Sequence, residues 1–212
     1  MILAGHSQMN LEGWSIRLED GVAQDASWAA ARAELTRQLQ DIKRVVPPGP
    51  LSKLQKVTIW VNASSKVTPC MAYHPGRQWL KEHDANPDMA KGVEMGSCKN
   101  FASWTYQQPW MVMHELAHAY HDQFLEKGFE NIEVLDTFKN SMATKKYESV
   151  LHWDGASTKH YATNNQMEFF AETTESYFGT NDFYPFVKAE LMNFDPQALT
   201  LMKKVWGEAI KQ

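Results

Sequence analysis

His114 and His118 stand four residues apart, with Glu115 beside the first, in the run His114-Glu115-Leu116-Ala117-His118. On an α-helix, positions i and i+4 share one face, so two imidazoles at this spacing can bind one tetrahedral ion. Glu115 projects beside that ion, where its carboxylate can take a proton from bound water. Zinc suits this donor set and lowers the pKa of its water to about 7. The surrounding Met111, Val112, Met113, Leu116 and Ala117 are apolar. A glutamate and two histidines buried among them are costly without a metal or polar partners.

A catalytic zinc needs a third protein ligand and an open position. A histidine six residues after His118 is excluded, because position 124 is Phe124 and the position where such a motif has Gly is His121. His121 reads as an ordinary helix histidine. Glu130 and Glu133 fall in a mixed, exposed-looking stretch and are poor candidates. The run Glu168-Phe169-Phe170-Ala171-Glu172 is better: two carboxylates at i and i+4 share one helix face amid residues that favour burial. One of them can ligate the ion, and the other can hold a ligating histidine through its free ring N–H. Glu175 extends the charge run.

Several elements must position these groups. Apolar residues at helical spacing, from Trp28 through Leu35 and Leu39 to Val46, predict a helix over 27–46. Ser27 is its expected N-cap, and Pro47-Pro48-Gly49-Pro50 its stop. Trp14 to Leu18 and the β-branched run 57–61 read as strands. Residues 62–108 are irregular and rich in Pro and Gly, with short strands expected near 70–74 and over 93–104. Pro109 can open the helix carrying the histidines, running to 127 and stopped by Gly128. Helical patterns follow over 131–143, 165–178, 184–192 and 196–211, with an Asp154-Gly155 hairpin turn between. The expected fold is α+β: one domain over 1–212, with a sheet-containing half (1–108) and a helical half bearing the metal site (109–212).

Composition agrees with a globular chain. Of 212 residues, 43% are hydrophobic and 22% charged, and no apolar run is long enough for a membrane-spanning helix. The net charge of −4 gives no electrostatic reason to expect a nucleic-acid partner. The first residues lack the basic start and long apolar core of a signal peptide, which leaves cytoplasmic, secreted and periplasmic locations all open. Cys70 and Cys98 are the only cysteines, more simply read as buried thiols than as a disulfide.

The motif pair, His114-Glu115-x-x-His118 followed by Tyr161-x6-Glu168-Phe-Phe-Ala-Glu172, resembles the gluzincin zinc peptidases. More narrowly, it resembles the lethal factor catalytic domain and the clostridial Pro-Pro endopeptidases. The resemblance covers 109–178, or 70 residues. It implies a zincin-like fold with a small mixed sheet and an edge strand ahead of the central helix. It also implies zinc as cofactor, held by His114, His118 and Glu168, with Glu115 as general base. Tyr161, seven positions before Glu168, would stabilise the oxyanion, and Glu172 would orient a ligating histidine.

The expected function is zinc-dependent hydrolysis of peptide bonds, with a peptide or protein substrate along a free sheet edge. Residues 93–104 precede the histidine helix and are the candidate edge, with Val93, Cys98, Phe101 and Trp104 as candidate substrate contacts. The stretch 179–185 could shape a specificity pocket. Trp28, Trp60 and Trp206 read as core, whereas Trp79, Trp104 and Trp153 are candidates for a groove. Two alternatives carry different chemistry: an inactive zincin-like domain that binds a peptide or glycan, and a zinc hydrolase of a non-peptide amide.

Overall fold

The computed structural model describes residues 5–208. The expected tail of the last helix, 209–211, lies outside them. The chain opens with a hairpin of β1 (His6–Leu11) and β2 (Trp14–Glu19), turned by Glu12 and Gly13, both at positive φ. Sequence reading missed β1, because most of its residues are polar and outward-facing. The two-residue turn with Gly13 was the available signal.

The helix α1 (Trp28–Val45) buries Ala31, Leu35, Leu39 and Ile42, the stripe its periodicity predicts. Ser27 sits at its start without capping it: the Ser27 hydroxyl instead donates to Asp25. The proline run ends α1 but also opens a further helix, α2 (Pro48–Leu54), because proline's fixed φ suits the first helical position. After α2 come β3 (Ile59–Val61), β4 (Met71–Tyr73), α3 (Arg77–Glu82), β5 (Val93–Met95) and α4 (Cys98–Trp104).

The sheet is mixed, in the order β1-β2-β3-β5-β4, with β2, β3 and β5 parallel and the two outer strands antiparallel to their neighbours. This order corrects the expected edge. Residues 93–104 do not form one edge strand: β5 lies inside the sheet, and β4 is the edge strand beside it. The strand stops at Met95 because the Ser97 hydroxyl accepts from the backbone N–H of Asn100 and starts α4. Gly96 permits the close passage, since a Cβ there would lie 2.4 Å from the Thr68 carbonyl.

The helical half follows. It comprises α5 (Met111–Phe124), α6 (Ile132–Ala143), the short hairpin β6 (Val150–Leu151) and β7 (Ser157–Thr158), then α7 (Gln166–Phe178), α8 (Lys188–Phe194) and α9 (Pro196–Trp206). The apolar core runs continuously from the sheet through α1 and α5 to α7 and α9. Trp28 and Trp206 are in that core, but Trp60 is only half-buried, its ring edge-on to His6.

Candidate metal centre

Helix α5 packs against β4 on one side and α7 on the other. Pro109 falls in the turn before α5, which begins two residues later than its expected opening. The opening of α5 is pinned to the end of α7 by Trp110 and Gly179: a Cβ on Gly179 would lie 1.8 Å from the indole ring. At the other end, Tyr73 of β4 donates its hydroxyl to Asp122 of α5 at 2.6 Å.

The opening of α7 is set by Asn165, whose side-chain oxygen accepts from the N–H groups of both Met167 and Glu168 at 2.9 Å. This cap puts Glu168 in the first turn, facing α5. Three atoms then converge. His114 Nε2 and His118 Nε2 are 3.1 Å apart, and Glu168 Oε2 lies 3.2 and 3.3 Å from them. Donors bound to one tetrahedral ion at zinc–nitrogen and zinc–oxygen lengths stand about 3.3 Å apart. The triangle therefore has the size of a zinc face, and its donor chemistry fits that metal. Burial alone would push the Glu168 carboxyl up, but contacts with His114 and His118 hold it well below the usual range.

The far side of His114 is acidic. Its Nδ1–H donates to Glu175 Oε1 at 2.7 Å, while Glu172 Oε1 is 3.4 Å away. Glu172 is the residue expected in this place; the shorter of the two approaches is made by Glu175, one turn further along α7. Glu172 is instead held by Asn181, whose side-chain amide donates to it at 2.9 Å. Burial pushes Glu175 up to about 7, against the pull of its His114 bond. Burial and neighbouring Glu175 drive Glu172 well above the carboxylate range. His114 is raised despite its burial, by Glu168 and Glu175.

Glu115 faces a cavity of 330 Å³ beside the triangle, and its Oε2 accepts from the backbone N–H of Tyr73 at 2.8 Å. Tyr161 also lines this cavity. It sits on a 3-10 turn capped by the buried His160 ring, whose Nδ1 accepts from Ala162 N–H, and not on a hairpin strand. The residue is 46% exposed, and its ring is centred 6.5 Å from that of His114.

The other expected contacts divide. Val93, Cys98 and Phe101 are buried in the core and are not among the residues around the cavity, because β5 is internal and α4 turns its apolar face inward. Trp104 does line the cavity, as do Asp182 and Phe183 from the stretch 179–185. Trp79 stacks between His74 and His83, and Trp153 meets Tyr106 edge-to-face; neither lines the cavity. Cys70 and Cys98 are buried and unpaired, with Cys70 Sγ 3.3 Å from Met111 Sδ. Glu133 pairs with Lys204 on the surface and Glu130 lies on a 3-10 turn, and neither belongs to the triangle. His121 is fully buried between Phe129 and Phe170, with neither ring nitrogen partnered among the described residues.

No protein-family model and no curated protein matches this chain. Among solved structures, it is similar to the Pro-Pro endopeptidase PPEP-2 from Paenibacillus alvei, with 16% identity and a TM-score of 0.48. The overlap covers 82% of this chain and 90% of that one.

Proposed function

We propose that this chain is a zinc-dependent endopeptidase. The observation that carries the reading is the triangle of His114 Nε2, His118 Nε2 and Glu168 Oε2, with sides of 3.1 to 3.3 Å and the Glu115 carboxylate beside it in an open cavity. His114, His118 and Glu168 would hold the ion. When bound, zinc supplies a polarising charge and a water of lowered pKa.

The protein's own groups do the rest. Glu115 takes the proton of the attacking water and returns it to the leaving amine, so its carboxylate must be ionised and fixed. The Tyr73 N–H fixes it. Tyr161 donates its phenolic O–H to the oxygen that gains charge as the carbonyl is attacked. Burial, and then the nearby Glu168 charge, raise the Tyr161 hydroxyl above its ordinary value, so it remains a donor at neutral pH.

The substrate would lie along β4. In that strand, His74 N donates to Gly92 O and Gly96 N donates to Cys70 O, so the alternate residues Met71 and Tyr73 turn their backbone groups to the free edge. The Tyr73 N–H is taken by Glu115, which leaves the groups of Met71 and the Tyr73 carbonyl for an added peptide strand.

The test is metal content and cleavage together. The wild-type protein should carry one zinc per chain and cut members of a peptide library. Glu168→Ala should lose the metal, and Glu115→Gln should keep it and lose cleavage. A wild-type protein that binds no zinc when supplied with it overturns the reading.

A further inference from the structure

The cavity beside the metal triangle has an acidic inner wall that the hydrolytic chemistry does not use. Glu172, Glu175 and Asp182 all line it, and each is at least nine-tenths buried. No Lys or Arg is among the described residues around it. The available partners are few. Glu172 Oε2 accepts from Asn181, and Glu175 Oε1 accepts from His114. Asp182 is hydrogen-bonded by its own backbone N–H and by the Gln108 side chain, and its Oδ2 is 3.9 Å from His152 Nε2, a histidine shared with Asp154 at 2.9 Å. Glu175 Oε2 is buried with no hydrogen-bond partner among the described residues. A buried carboxylate oxygen left in this state is costly, and a cation with N–H donors is the group that relieves it.

The rest of the cavity suits the same occupant. Trp104, Tyr161 and Phe183 contribute aromatic surface to its wall. Aromatic surface together with buried acids in one cavity favours an aliphatic stem that ends in a positive charge. At 330 Å³ the space suits one long side chain.

We propose that this cavity receives the side chain of a lysine or arginine adjacent to the bond that is cut. This rests on the endopeptidase reading above and specifies its substrate class. The cation would enter past Glu115 and end among Glu175, Glu172 and Asp182.

Two measurements test it. The first is the cut position in a randomised peptide library, read by mass spectrometry. Lysine or arginine should flank the cut at least about tenfold more often than an uncharged residue of similar length. The second is calorimetric binding of Nα-acetyl-arginine amide and its neutral isostere, Nα-acetyl-citrulline amide, to zinc-loaded Glu115→Gln protein. The arginine probe should bind at least about tenfold more tightly, and Asp182→Asn should reduce the difference. The probe pair needs no variant in the wall, so a misfolded Asp182→Asn leaves the comparison intact.

Cleavage without basic preference, together with equal binding of the two probes, overturns the proposal and leaves the endopeptidase reading standing. Selective binding of the arginine probe by a protein that cuts no peptide overturns the endopeptidase reading and leaves the cation pocket. Two zinc ions per chain would assign the acids to a second metal and overturn the proposal.

Discussion

The backbone N–H of Tyr73, on the edge strand β4, donates to Glu115 Oε2 at 2.8 Å. The carboxylate beside the triangle of His114, His118 and Glu168 is therefore held by the same strand that, in the proposed endopeptidase, would offer its edge to substrate. As the proposed general base, Glu115 would gain from being fixed this way, because misplacement by an ångström is expensive in rate.

Replacing Glu115 with glutamine keeps an oxygen that can accept from Tyr73 but removes the base. Cleavage should fall by about 10²- to 10⁴-fold with zinc content and melting temperature unchanged. Rate assays beside elemental analysis check this, and a variant that retains most of its rate would exclude Glu115 as the base.

Glu175, and not Glu172, makes the short bond to His114 Nδ1. Glu175→Gln should weaken zinc binding by about tenfold or more, because partners that orient a ligating histidine usually matter on that scale. Glu172→Gln should cost less. Competition titrations against a zinc-chelating dye read both, and the reverse order would return the orienting role to Glu172.

The Tyr161 ring is partly exposed, so its hydroxyl contributes little to folding. Tyr161→Phe should lower kcat by about 10²- to 10³-fold with KM nearly unchanged, the pattern of a donor engaged only in the transition state. A rise in KM at constant kcat would make Tyr161 a binding residue instead.

His121 should make folding sensitive to acid. Burial, reinforced by the His118 charge and opposed by Asp122, lowers its pKa from 6.5 to about 4. Between those values the unfolded chain binds the proton and the folded chain does not, so stability falls as pH drops from about 6.5 towards 4. A shift of this size corresponds to about 3 kcal/mol. His121→Leu should flatten that part of the stability profile, read from urea unfolding at pH 4.5, 5.5 and 7. An unchanged slope would place the acid sensitivity elsewhere, with His160, lowered by burial to about 3, the next group to replace.

What was legible in the sequence is what depends on near neighbours along the chain. The i, i+4 spacing of His114 and His118 sets both rings on one face of α5, whatever the rest of the fold does. The stripe from Ala31 to Ile42 makes α1, and Asp154-Gly155 turns the β6–β7 hairpin. Each is a property of a few consecutive residues. Tertiary packing decided the rest. Glu168, Glu172 and Glu175 all lie on one face of α7 by spacing, and only the rotation of that helix against α5 selects Glu175 for His114. Residues 93–104 precede the histidine helix in the chain, yet strand order placed β4 at the sheet edge and β5 inside it. Asp182 reaches the cavity wall from a loop beyond α7, and Tyr73 reaches Glu115 across 42 residues. Contacts at such distances form only when packed faces meet, and no local spacing along the chain encodes them.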